Sequence, residues 1–211
     1  MSSLAQVFAD VLPPDALETM QSLAAEVRSA LEVPPGGFCL VASQWLPADA
    51  EPRGRAERVI REHLLPRLES RHRAAGVEWW WLVFDPGFSA TGHMHFDNNL
   101  YSPAGYRLSA DPDAAFATPD EVGVFYAADG GAATAVSDVR AHDRWSALTA
   151  LMQQGGRAPV VSVRPRANQL LVFDGACLHG TSKSAPEDAV PRTTFVLNTW
   201  RQKPARPWWW G

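Results

Sequence analysis

At Gly76 the chain changes its pattern. Before it, apolar residues recur at helical spacing; after it, short β-branched and aromatic runs alternate with turn signals. This order of helices first and strands second is the strongest constraint on the fold. It predicts an antiparallel β structure with helices packed on one face, not a chain of alternating βα units.

The first helix opens at Pro13-Pro14-Asp15, with prolines at the entrance and an acid in the first turn. Leu17, Met20, Leu23, Ala24, Val27 and Leu31 come next at helical spacing, and Pro34-Pro35-Gly36-Gly37 ends it. Gly37 to Trp45 reads as one strand. A second helix is predicted from about Arg55 to Ala74, burying Val59, Ile60, Leu64, Leu65 and Leu68, with a kink at Pro66.

Beyond Gly76, Val77 to Phe84 reads as a strand closed by the turn Asp85-Pro86-Gly87. Val122 to Ala127, Ala132 to Val136, Val160 to Val163, Gln169 to Phe173 and Thr193 to Thr199 are further strands. Asp129-Gly130-Gly131 reads as a hairpin-like turn, and a short helix is expected around Asp143 to Met152. At least seven short strands fit a double-sheet jelly roll. The prediction is a single domain over residues 1–211, mainly β, with helical support over about 1–75 and a β-core over about 77–204.

Composition narrows the function. The 211 residues are 46% hydrophobic, enough for one real core, and the net charge of -4 leaves no basic excess for phosphates. Nucleic acid is not an expected partner. No window approaches the ~20 apolar residues of a membrane span, and no signal-peptide pattern opens the chain, so the expectation is a cytoplasmic protein without a membrane partner. Cys39 and Cys177 read as buried free thiols.

The chemistry concentrates in Gly92-His93-Met94-His95-Phe96-Asp97-Asn98-Asn99. On extended backbone, residues two apart point the same way, so His95 and Asp97 can grip one metal together. An imidazole and a carboxylate suit iron(II), and a third ligand would complete a facial triad with open positions. Alone the pair says little, because chance alone yields it in roughly one such sequence in three. Residues further along the chain give it weight. His179 lies at the end of the run Asn168 to Gly180. Thirteen residues later Arg192 opens the last strand, with Thr194 two residues on, on the same face. An arginine at the base of a pocket is a natural partner for a dicarboxylate.

The order His-x-Asp, a distant His, then Arg-x-Thr resembles the iron(II), 2-oxoglutarate-dependent dioxygenase superfamily. The stretch Thr118 to Thr134 is similar to that superfamily's strand, turn and strand between the two metal motifs, and Arg192 to Trp200 to its closing strand. The resemblance covers about Val77 to Pro204 and implies a double-stranded β-helix, or jelly-roll, core. It implies that His95, Asp97 and His179 hold Fe(II), that 2-oxoglutarate chelates the metal, and that Arg192 pairs with its far carboxylate. O2 is then the oxidant. Halogenating members carry Gly or Ala in place of the acid, so Asp97 makes hydroxylation the default outcome, while desaturation and ring formation use the same triad. The substrate would be an amino acid, a peptide or a small biosynthetic intermediate.

Around this set, Asn99 is read as a turn residue that could also bond the co-substrate. Tyr126 shares the side of Val122 and Val124 and could reach it from within the sheet. The loop from Asn98 to Pro119 is the expected lid, with Tyr101, Tyr106 and Arg107 as candidate substrate contacts. The rival reading is a cupin-type metalloenzyme using His93, His95 and His179 without 2-oxoglutarate. A non-catalytic jelly-roll binding protein ranks last. Trp208-Trp209-Trp210 reads as a partly ordered arm.

Overall fold

The computed structural model describes residues 4–85, 94–98, 116–142, 161–181 and 190–204. The described strands are β1 (Ala5–Ala9), β2 (Phe38–Leu40), β3 (Gln44–Pro47), β4 (Gly76–Phe84), β5 (Met94–His95), β6 (Glu121–Tyr126), β7 (Thr134–Arg140), β8 (Val161–Val163), β9 (Gln169–Asp174), β10 (Cys177–Thr181) and β11 (Arg192–Trp200). They form two antiparallel sheets. The larger runs β1-β9-β6-β11-β4-β2, with β3 also on β4; the smaller runs β5-β10-β7-β8. The chain is mainly β with a jelly-roll core, as the sequence predicts.

Helix α1 spans Pro14–Ala30. Pro14 sits in its first turn, where its fixed φ suits the helix and its missing N–H costs nothing. Ala16, Met20 and Ala24, four residues apart, face the larger sheet. Gln21 Nε2 donates to the Ala127 carbonyl at 3.1 Å and Arg28 Nη2 to Thr193 Oγ1 at 2.8 Å, tying the helix to that sheet. Between helix and sheet lies the main core, with Trp81, Phe125, Leu170, Phe195 and Leu197 from the strands and Met20, Ile60, Leu64 and Leu68 from the helical side. Each such side chain contributes about 1.5–3 kcal/mol by leaving water. On the sheet's other face Trp80, Val122, Val124, Tyr126, Phe173 and Val196 meet Val136 and Cys177 of the smaller sheet. The run Trp79-Trp80-Trp81 is thus divided between the two faces. Trp200 is buried and donates its indole N–H to Glu78 Oε2 at 3.1 Å.

Several predicted elements take another form. The strand read over Gly37 to Trp45 is two short strands, β2 and β3, both on β4. The second helix is α-helical only over Arg55–Val59 (α2). It widens to a π-helix over Ile60–Leu64 and ends in 3-10 turns at Leu65–Arg67 and Glu69–His72. Pro66 cannot donate within a helix, and Leu68 between the two turns is extended, at φ -91° and ψ 129°. The N-terminal region is not purely helical, because β1 is the edge strand of the larger sheet. Asp129-Gly130-Gly131 is not a hairpin turn: it carries the chain from β6 in one sheet to β7 in the other. The run Asn168 to Gly180 is not one strand: β9 ends at Asp174, and Cys177 and His179 share β10 in the opposite sheet.

Both cysteines are free, as expected, but Cys39 is only half-buried. Burial pushes the Cys177 thiol up to about 11. No helix among the described residues is long and apolar enough to cross a membrane. The helix expected around Asp143 to Met152 and the Trp208-Trp209-Trp210 arm lie outside the described residues.

Asn168 holds β1 to the body of the sheet. Its side chain accepts from Leu12 N and donates to Leu12 O, both at 2.9 Å, and its backbone is left-handed at φ 60°. Asparagine tolerates that conformation better than most residues. Asn168→Ala should therefore destabilise the protein by about 2–3 kcal/mol, since it loses a pair of hydrogen bonds and gains backbone strain. Chemical denaturation measures this; a loss under about 0.5 kcal/mol, the range of ordinary surface substitutions, would refute the anchoring role.

Candidate metal centre

Strand pairing assembles the centre. β5 and β10 pair with His95 directly opposite His179, and cross-strand partners bring their side chains side by side. Their rings lie 4.5 Å apart between centroids. Asp97, two residues beyond His95, points to the same side. Its Oδ1 lies 3.6 Å from His95 Nε2 and its Oδ2 3.6 Å from His179 Nε2. These separations exceed a hydrogen bond. The three ligand atoms all lie within 4.8 Å of one another, a span that one ion about 2.0–2.2 Å from each could bridge with slight closure.

The surroundings prepare these groups for a metal. His179 Nδ1 contacts the Cys177 carbonyl at 2.9 Å. A proton on Nδ1 makes that bond and leaves the Nε2 lone pair facing Asp97. The His179 ring is also held 4.8 Å from that of Phe173. Asp97 is buried. Burial alone would raise its carboxyl, but the imidazoles of His179 and His95 outweigh that and hold it well below the usual carboxylate range. Asn198 of β11 donates Nδ2 to Asp97 Oδ2 at 2.8 Å. Side-chain exposure differs across the set: His179 and Asp97 are 7% and 4% exposed, whereas His95 is 43% exposed and forms the open edge. Two imidazoles and one carboxylate on one side of the cluster fit a divalent ion of the ferrous type.

A second polar group lies along the same face. Arg192 is buried, and among the described residues it has no acidic partner. Its Nε donates to Thr194 Oγ1 at 2.7 Å, Nη1 to the Ala132 carbonyl at 2.6 Å and Nη2 to Thr134 Oγ1 at 2.7 Å. The guanidinium lies 5.2 Å from the Phe84 ring centre and 5.4 Å from that of Tyr126. Burial pushes its pKa down, yet a guanidinium stays charged in proteins. Burial also pushes the Tyr126 phenol up, which Arg192 and the bond to Thr134 only partly offset. The neutral phenol donates to Thr134 Oγ1 at 2.6 Å. Gly131 makes room for this arginine: its φ is +84°, and a Cβ there would fall 2.7 Å from Arg192 Cβ.

The two groups are spaced by the strand itself. On β7, Val136 is paired with His179 and Thr134 with Thr181. Thr134 therefore lies two residues from the position opposite His179, on the same face, which is about 7 Å along the strand. A five-carbon dicarboxylate has a matching length.

Of the residues singled out in the sequence, the structure brings together His95, Asp97 and His179, and separately Arg192, Thr194 and Tyr126. Thr134 and Asn198 were missed, because a threonine or asparagine inside a strand carries no local signal until the pairing is known. Asn98 donates Nδ2 to the Phe96 carbonyl at 2.9 Å, a turn bond. His93, Asn99, Tyr101, Tyr106 and Arg107 lie outside the described residues, as does most of the expected lid.

No family model matches the sequence, and no curated protein does. Solved structures do match. A prolyl-4-hydroxylase from Pseudomonas putida has a TM-score of 0.55 at 14% identity, covering 95% of this chain and 94% of that one. SnoK, a non-haem α-ketoglutarate-dependent carbocyclase from nogalamycin biosynthesis, has a TM-score of 0.57 at 14% identity, covering 93% and 79%. HygX from Streptomyces hygroscopicus, solved with nickel and 2-oxoglutarate bound, has a TM-score of 0.51 at 15% identity, covering 94% and 83%. At these identities the likeness is one of fold: this chain shares the jelly roll of prolyl hydroxylases and 2-oxoglutarate oxygenases of known structure, with a His-Asp-His cluster inside it.

Proposed function

We propose that this protein is a non-haem Fe(II), 2-oxoglutarate-dependent oxygenase that hydroxylates a C–H bond of an amino acid, a peptide or a small biosynthetic intermediate. The observation that carries the reading is the buried Arg192, which has no acidic partner among the described residues and is bonded to Thr134, two strand residues from the position opposite His179. An uncompensated buried cation costs several kcal/mol. A ligand carboxylate would offset that cost, and the cluster would take the ligand's other end. The fold shared with HygX and SnoK supports the same pairing of metal and keto acid.

In this reading His95, Asp97 and His179 hold the iron, which when bound supplies open positions for the keto acid and O2 and the electrons that activate the latter. Overall, 2-oxoglutarate, O2 and R–H become succinate, CO2 and R–OH. Arg192 receives the far carboxylate through its remaining N–H donors, held in orientation by Thr194, Ala132 and Thr134. Thr134 Oγ1 accepts from both Arg192 and Tyr126, so its own proton is directed elsewhere, toward the same carboxylate. Asp97 contributes one negative charge, so that with Fe(II) and Arg192 the site would carry a net charge of about +2, which a dianionic co-substrate balances. The exposed edge at His95 is where substrate would approach.

Asp97→Ala should abolish succinate formation from 2-oxoglutarate under Fe(II) and air while leaving the circular dichroism spectrum unchanged. Succinate release at the wild-type rate would remove Asp97 from the ligand set and favour the cupin-type reading through His93. Arg192→Ala should raise the KM for 2-oxoglutarate by about two orders of magnitude, the scale of a buried charge pair broken on one side. Arg192→Lys should recover only part of this, since an ammonium lacks the planar fork. An unchanged KM in Arg192→Ala would move co-substrate binding to another arginine.

A further inference from the structure

We propose that Asn198 is a positioning residue for the metal centre, orienting the carboxylate of Asp97 through its side-chain N–H; this rests on the metal reading under Proposed function. The bond from Asn198 Nδ2 to Asp97 Oδ2, at 2.8 Å, is shorter than either imidazole distance to that carboxylate, both 3.6 Å. The final torsion of an aspartate side chain is broad and two-fold. A carboxylate between two imidazoles therefore needs an outside donor to fix its plane, and Asn198 supplies it. The orientation of the amide follows from the chemistry, because turning it over would set its oxygen against an oxygen that can only accept.

The fold does not need this amide. Asn198 is fully buried at the seventh position of β11, in the middle of the larger sheet. One cross-strand partner, Val122, is apolar, as is Val196 two residues earlier on the same face; the other partner is the buried Glu78, which accepts from the Trp200 indole. Asn198 Oδ1 is buried and has no hydrogen-bond partner among the described residues. A half-satisfied buried amide disfavours folding. Among the described residues, its other half is engaged with Asp97. Arg192 stands six residues earlier on the same face, so one strand fixes both ends of the site: the co-substrate's anchor and the ligand carboxylate.

The test uses the full chain freed of metal and titrated with Co(II), a spectroscopic stand-in for iron, in the wild type and in Asn198→Leu, Asn198→Ala, Asp97→Ala and Leu197→Val. Leu197 is the neighbouring residue on the opposite, helix-facing side of β11. Asn198→Leu, nearly isosteric, should weaken Co(II) binding about 10–100-fold and shift its visible absorption, while the metal-free protein melts close to wild type. Asn198→Ala should do the same if the leucine variant does not fold. Leu197→Val should lower the melting temperature yet leave Co(II) affinity within about twofold, as the Leu197 side chain packs on the helix-facing side of β11, away from Asp97. Wild-type affinity and spectrum in both Asn198 variants would overturn the inference alone. An equal loss in Leu197→Val would also overturn it, reducing the effect to a loosened strand. Failure of the wild type to bind Co(II) more tightly than Asp97→Ala would overturn the metal reading and this inference with it.

Discussion

Strand β11 lies inside the larger sheet with all nine of its residues buried, so its two faces must serve different ends. The alternation of a pleated strand settles which residues go where. Thr193, Phe195 and Leu197 face the helical side, where Phe195 packs against Trp79 and Trp81 with ring centres 5.6 and 4.7 Å apart. Arg192, Thr194, Val196 and Asn198 face the space between the sheets. A slip of one residue would exchange a hydrophobic layer for a row of polar groups. Core packing thus holds the polar row in register, and the site inherits its precision from the hydrophobic effect.

Charge within that space is arranged in complementary fashion. Asp97 sits between two imidazoles, each 3.6 Å away, and accepts one hydrogen bond from the Asn198 amide. Arg192 sits among neutral acceptors and aromatic faces, with no described acid beside it. In a low-dielectric interior an unbalanced charge is stable only when a partner arrives or surrounding dipoles replace water. Thr134, Thr194 and Ala132 provide the dipoles. They engage three of the guanidinium's five N–H donors without neutralising its charge, which leaves the cation poised for an anionic ligand.

Much of this arrangement is legible in the sequence. The aromatic and β-branched run Val77 to Phe84 and the closing run after Arg192 declare buried strands, and His95-x-Asp97 on extended backbone declares a shared face. Three kinds of feature stay hidden there. Weakly patterned strands escape detection: Ala5–Ala9 is a partly exposed edge, and Met94–His95 is a two-residue strand that exists only through its pairing. Breaks between sheets look like ordinary turns, as at Asp129-Gly130-Gly131 and at Gly175-Ala176, where the chain crosses from one layer to the other. Finally, residues whose role is set by a cross-sheet partner, such as Thr134 and Asn198, have no signature in sequence spacing at all.

The central claim is that the His-Asp-His cluster and Arg192 serve the two ends of one ligand. The most direct measurement is a crystal structure grown without oxygen in the presence of Mn(II) and 2-oxoglutarate. The account predicts one metal peak shared by the side chains at 95, 97 and 179, with the keto acid running from it to a carboxylate seated on the Arg192 fork. A metal bound elsewhere, or a keto acid whose far end lies away from that arginine, would contradict it.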